Sequence, residues 1–255
     1  MNDPHDRTDG PSANPGPARR PGVVRSAAGL ATDLAYIARS RLGPVRYGML
    51  PPPPNDPLDE DGSGPARPPV LLIPGVFESW HYLRAIGERL AARGYPVHRV
   101  AELGLNHRPI DRAARLLADY VVDRDLREVV LVTHSKGGLI GKAMLLADAD
   151  AAATPPKRRL TRLITVNTPF RGTPVARWGL GPWREFRPEA AIIRTLDART
   201  EVNDRITSLV SAVDQYVPRA IAHLDGAENV VLDRVGHFRV LALPDVIDEI
   251  ERRLP

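Results

Sequence analysis

The chain predicts an α/β fold, a mostly parallel sheet with helices on both faces. Two observations carry that prediction. From Pro69 onward, short apolar runs rich in β-branched residues alternate with stretches of helical period, the sequence form of strands buried on both faces and joined by helical crossovers. One run, Val129-Val130-Leu131-Val132-Thr133-His134, breaks at Ser135 and passes through Lys136-Gly137-Gly138 into an apolar helical pattern. Such a strand-to-helix turn holds a nucleophile up at the top of a sheet.

Taken in order, the residues before 70 lack the composition of a core. Met1 to Gly22 is rich in Pro, Gly, Asp and Arg, too polar to repay the cost of ordering, and reads as a disordered tail, 1–22. In 23–47, Ala27, Leu30, Ala31, Leu34, Ile37 and Ala38 form one stripe at helical spacing, an amphipathic segment expected to lie on the body of the domain or on a membrane surface or partner. The stretch 48–69, with Pro51-Pro52-Pro53-Pro54 and Asp59-Glu60-Asp61-Gly62-Ser63-Gly64, reads as a Pro-rich linker. More than half of the 26 prolines precede residue 70, which places the folded domain at 70–255.

Within that domain strands are predicted at Val70 to Ile73, Val97 to Val100, Val129 to Thr133, Leu163 to Val166, Thr207 to Val213 and Val230 to Leu232, each a short apolar run bounded by turn residues. Helices are predicted at Trp80 to Arg93, Ile110 to Asp123, Lys136 to Asp148 and Pro244 to Arg253. The longest stretch between strands, 171–200, holds Trp178, Trp183 and Phe186. It reads as a small lid or a wall of the acyl pocket, or else as a surface loop tucked down by its aromatics.

Composition narrows the function. With 255 residues and 43% apolar content the chain suits one buried domain with appendages. The absence of cysteine rules out disulfides, a thiol nucleophile and cysteine-bound zinc. His81, His98, His107 and His223 show no metal-ligand spacing with each other or with carboxylates, so no metal site is expected from them. The net charge of +4, from 35 basic and 31 acidic residues, carries no clustered basic patch of the kind that nucleic acid requires. Arg19-Arg20 invites comparison with a twin-arginine export signal, but Pro21-Gly22, Arg25 and Asp33 interrupt the pattern and no small-residue cleavage site follows. A cytoplasmic location is therefore expected. No run is long enough to span a bilayer.

The chemistry concentrates at the ends of the predicted strands. Ser135 stands at the turn; crowding there asks for small residues two before and two after it, which Gly137 satisfies and Thr133 does not. A serine hydroxyl needs a histidine to take its proton, and that histidine needs a carboxylate to fix its tautomer and stabilise its charge. Asp214 ends the strand-like run before Val217-Pro218, and His237 follows Gly236 after the last predicted strand, so Ser135, Asp214 and His237 stand in the chain order of one triad lineage. Asp214 is preferred over Asp197, Asp204 and Asp225 because it alone directly ends such a run before His237. Backbone N–H groups for an oxyanion are expected from Val76, in the Pro74-Gly75 loop, and from Lys136, with Phe77 as the neighbour able to replace Val76. Phe77, Trp178, Trp183 and Phe186 are the candidate substrate contacts. His134 is expected to point into the scaffold.

From residue 69 to the end, the chain resembles the α/β-hydrolase superfamily and, within it, small bacterial lipases and esterases. The likeness rests on Thr133-His134-Ser135-Lys136-Gly137-Gly138, on Asn167-Thr168-Pro169-Phe170-Arg171-Gly172-Thr173-Pro174, and on Leu224 to Val230 running into Gly236-His237, similar to the end of small lidless triacylglycerol lipases. The resemblance implies cofactor-free hydrolysis of carboxyl esters, lipid esters among them. Lys136 and Pro74 depart from it, and a charged Lys136 beside the nucleophile is expected to influence which acyl groups are accepted. Thioester hydrolysis and acyl transfer to an alcohol differ only in leaving group or acceptor. A rival from another class is a non-catalytic binding module on the same fold, supported by Thr133 and Lys136.

Overall fold

The computed structural model describes residues 23–42, 67–151 and 158–255. The predicted tail 1–22 and all but the last residues of the predicted linker 48–69 lie outside them. Six strands, β1 Val70–Ile73, β2 Val97–Arg99, β3 Val129–His134, β4 Leu160–Val166, β5 Ile206–Val213 and β6 Glu228–Val235, form one sheet in the order β2-β1-β3-β4-β5-β6. Every pairing is parallel.

The helices are α1 Val23–Arg41, α2 Arg84–Ala92, α3 Ile110–Asp123, α4 Lys136–Ala151, α5 Ala191–Ala198, α6 Arg219–Ala222 and α7 Pro244–Glu251. The predicted helix at Trp80 begins as a 3-10 turn, Trp80–Leu83, and becomes α-helical at Arg84. Helix α5 was not predicted; it lies in the segment read as a lid, where Ile193 and Leu196 turn one face inward. Among the described residues no helix is long and apolar enough to cross a membrane.

Alternation along the strands sorts the core into two layers. Leu71 and Ile73 of β1 and Val129 and Leu131 of β3 face the layer beneath α3, α4 and α5, while Val70, Leu72, Val130 and Val132 face the layer beneath α2, α7 and α1. Burial on both faces explains why β3 carries no polar residue until Thr133.

The connectivity also places a crevice. From β1 the chain crosses to β2 on one side and then returns to β3 on the other, so the loops after β1 and β3 diverge. In open parallel sheets such a reversal leaves a ligand crevice at the C-terminal strand ends.

Candidate active site

Ser135 sits between β3 and α4 at φ +50°, a left-handed backbone conformation that a serine adopts only when its surroundings impose it. They do so by hydrogen bonds and by crowding. Its N–H donates to the Val166 carbonyl at 2.9 Å, and its own carbonyl accepts from Thr168 Oγ1 at 2.9 Å and from the Gly138 N–H at 3.0 Å. A Cβ at Gly137 would collide with the Ile73 carbonyl, and one at Gly138 with the hydroxyls of Thr165 and Thr168. Two successive glycines are thus what lets α4 start this close to the sheet. Thr133 is accommodated inside β3, fully buried, with no hydrogen-bond partner for its hydroxyl among the described residues.

The second and third predicted residues meet directly. His237 Nδ1 lies 2.6 Å from Asp214 Oδ2, with both side chains almost fully buried. Asp214 Oδ1 accepts the N–H groups of Tyr216 (2.7 Å) and Val217 (2.9 Å), which fixes the carboxylate as it leaves β5. Burial pushes the His237 imidazole down, but the charge and hydrogen bond of Asp214, aided by Glu78 and Asp33, outweigh it, and the ring ends above the ordinary histidine value. The alternative aspartates are engaged elsewhere: Asp197 and Asp225 both lie against Arg171, at 3.7 and 2.8 Å.

Ser135 and His237 line one cavity of about 190 Å³ together with Val76, Phe77, Trp183 and Phe186. No hydrogen bond joins Ser135 Oγ to His237 among the described residues. The N–H groups of Val76 and Phe77 have no hydrogen-bond partner among those residues either, and Phe77 is held at φ +58°. Lys136 supplies the first N–H of α4, at the positive end of the helix dipole.

Two expectations are corrected here. Trp178 is 91% exposed and does not line the cavity, because the 3-10 turn Pro174–Trp178 ends by pointing it outward. The Lys136 side chain does not lie beside the nucleophile either. It is fully buried, with Nζ donating to the carbonyls of Asn106 (3.2 Å) and Arg108 and lying 3.8 Å from Glu185. Burial, only partly offset by Glu185, lowers its pKa to about 8.

A second buried carboxylate and imidazole adjoin the first. His134 is fully buried, as expected, with Nδ1 2.9 Å from the Glu78 carboxylate and Nε2 3.0 Å from the His237 carbonyl. A carbonyl only accepts, so Nε2 carries a proton. Glu78 also accepts the Gly75 N–H at 2.8 Å, which braces the loop bearing Val76 and Phe77. Asn167, at φ +53°, donates from Nδ2 to the His237 carbonyl at 3.1 Å and accepts the Ser211 N–H at 2.9 Å, tying the end of β4 to β5 and to the His237 loop.

The fold is similar to that of several solved structures. A lipase from Bacillus licheniformis, BlEst2 in its mature form, superposes with a TM-score of 0.54 at 16% identity over 71% of this chain and 89% of its own. An extracellular alpha/beta-hydrolase from a Paenibacillus species gives 0.51 at 14% identity over 73% of this chain and 98% of its own. A predicted CIB-like hydrolase from Thermoplasma acidophilum gives 0.50 at 14% identity over 74% and 89%. The chain has the α/β-hydrolase fold. No protein-family model and no curated protein matches it.

In this α/β-hydrolase fold, the site residues that sequence reasoning missed come from outside the three motif segments or lie unremarked within them. Glu78 stands in the same loop as Val76, and Asn167 in the run quoted after β4. Ile37 and Arg41 reach the cavity from α1, and Asp33 reaches the His237 loop. For Asp33 the only sequence signal is that it is the lone acidic residue of its helix.

Proposed function

We propose that the chain is a serine hydrolase that cleaves carboxyl esters through an acyl-enzyme. The observation that carries this reading is the buried 2.6 Å contact between His237 and Asp214, opening on the cavity that Ser135 enters from a strained turn. His237 takes the hydroxyl proton on Nε2 as Ser135 Oγ bonds to the acyl carbon, and the carbonyl electron pair moves onto its oxygen. The Val76 and Lys136 N–H groups receive that oxyanion, with Phe77 able to replace Val76. The oxyanion then collapses, the alcohol leaves with the proton from His237, and water repeats the sequence to release the acid. Asp214 keeps the imidazole oriented and stabilises its cationic form.

The cavity bounds the acyl group. About 190 Å³ lies below the roughly 300–1,000 Å³ of drug-sized sites and slightly above the ~150 Å³ that accepts a six-carbon ring. The reading is therefore an esterase for short to medium acyl chains, with Trp183, Phe186 and Phe77 as the apolar walls.

A fluorophosphonate probe and a p-nitrophenyl ester series test the reading. The wild-type protein is expected to be labelled and to turn over the esters. Ser135→Ala is expected to abolish labelling and lower kcat by ~10⁴-fold or more with an unchanged circular dichroism spectrum. Labelling retained in Ser135→Ala would move the nucleophile elsewhere.

A further inference from the structure

Helix α1 carries a carboxylate into the interior. Asp33 is 0% exposed, and its two oxygens accept four hydrogen bonds. Oδ1 takes the N–H groups of Phe238 and Arg239, each at 2.7 Å, while Oδ2 takes the His237 N–H at 3.1 Å and Gln215 Nε2 at 2.8 Å. The three backbone donors are consecutive and lead into the 3-10 turn Arg239–Ala242. They form a concave run of N–H dipoles that an anion fills.

The approach is built on both sides. A Cβ at Gly29 would stand 2.5 Å from Val235 Cγ1, and one at Gly236 would stand 3.0 Å from Asp33 Oδ1, so two glycines allow the helix to lie on this segment. Tyr36, one turn along, donates its hydroxyl to the Tyr82 carbonyl at 2.7 Å and anchors the same face.

We propose that Asp33 is a positioning residue for His237, holding the loop 236–239 so that the imidazole keeps its place while its charge changes. This role rests on the hydrolase reading above. The backbone of His237 is gripped at its N–H by Asp33 and at its carbonyl by His134 and Asn167, and Asp214 grips the ring. Removing one grip lets the ring rotate away from the nucleophile without touching the substrate. Asp33 also adds negative charge near an imidazole that becomes cationic in the transition state. The charged and titratable groups facing His237 are Asp33 and Arg41 from α1, Glu78 after β1, His134 in β3, and Asp214 and Tyr216 after β5. Asp33 is the only carboxylate among them that accepts the backbone N–H of His237.

The test compares Asp33→Asn with wild type in ester turnover across pH and in the NMR titration of the His237 ring. Expected are a kcat roughly 10- to 100-fold lower, the size of effect seen when an outer partner that orients a metal-bound histidine is lost, a KM within about twofold, and an acid limb of kcat/KM displaced to lower pH. The ring titration moves in the same direction, a change that a merely structural defect would not produce. Wild-type kcat with an unmoved titration overturns the proposal. If the wild-type protein neither labels nor turns over, the hydrolase reading fails by itself, and an unmoved ring titration in Asp33→Asn then overturns the coupling as well. Should Asp33→Asn not fold, Asp33→Ser, which keeps one acceptor oxygen in a smaller side chain, carries the same readouts with the same reversals.

Discussion

Helices α4 and α1 both pack beside the sheet close to the cavity, α4 starting directly after Ser135 and α1 reaching it with Ile37 and Arg41. They are held by opposite chemistry. Helix α4 is enclosed all round its first two turns and is held chiefly by apolar Leu139, Ile140, Met144, Leu145 and Leu146, with Lys136 and Lys142 buried among them. Helix α1 leaves Leu34 66% exposed, with Ala27, Ala31 and Ala38 also outside, and buries Asp33, Tyr36 and Ser40. Of the apolar stripe expected on α1, Ala27, Ala31, Leu34 and Ala38 thus face away from the domain, and Ile37 is half-buried. Hydrophobic burial is non-directional and tolerates a slide along the sheet, whereas a carboxylate bound by four donors fixes one position. A helix whose task is to hold a loop at a set distance has reason to dock by its polar face.

The largest expected effect breaks the site itself. Asp214→Asn should lower kcat by ~10⁴-fold through loss of the imidazole tautomer while leaving both helices in place, and steady-state turnover checks it. Near-normal turnover would move the acid to another carboxylate.

Stability then separates the two helices. Leu139→Ala on α4 is expected to cost about 2–5 kcal/mol, whereas Leu34→Ala on α1 should stay within about 0.5 kcal/mol. Urea unfolding reads both, and equal costs would erase the contrast.

Lys142 sharpens it further. On α4 this side chain is buried with no hydrogen-bond partner for Nζ among the described residues, and burial lowers its pKa to about 8, against the partial opposition of Asp197 and Glu201. A buried charge without a partner destabilises the fold more than one whose hydrogen bonds are satisfied, such as the Asp33 carboxylate. Lys142→Met is expected to add about 1–3 kcal/mol at neutral pH. The sign follows from the shift. Below pH 8 the folded protein bears the whole penalty, and the penalty fades as pH rises from there towards the ordinary lysine value of 10.5. The gain from Lys142→Met should therefore shrink over that range in thermal melts.

The smallest effect divides the cavity between its walls. Turnover of p-nitrophenyl esters should rise from acetate up to medium chains, by at most roughly fourfold per methylene at ~0.8 kcal/mol each, and then fall as the cavity fills. Trp183→Ala is expected to flatten the rise without slowing acetate hydrolysis. Ile37→Ala on α1 should flatten it less. A wild-type preference for acetate would assign these side chains to packing alone.

The six strands and the helices flanking Ser135 were legible because each buries apolar residues at a fixed period. Ser135, Asp214 and His237 stood out as candidates in the sequence because each follows a strand end. Helix α5 was hidden inside an irregular stretch, and its eight residues give too few turns for a period to show. Trp178 was misplaced because an aromatic count does not say which side of a turn a side chain leaves from. The buried course of Lys136 was equally unreadable, since its partners are carbonyls of a loop near residue 107, about 30 positions away.

What the sequence determined by itself was the α/β layering and the chain order of serine, aspartate and histidine, both of which depend on local period and on strand ends. What only the tertiary structure decided was which polar groups converge. Asp33 meets the His237 backbone across 204 positions and Glu78 meets His134 across 56, and such pairings leave no period in the chain. They are fixed when two layers close on one sheet and every buried polar group must find its partner.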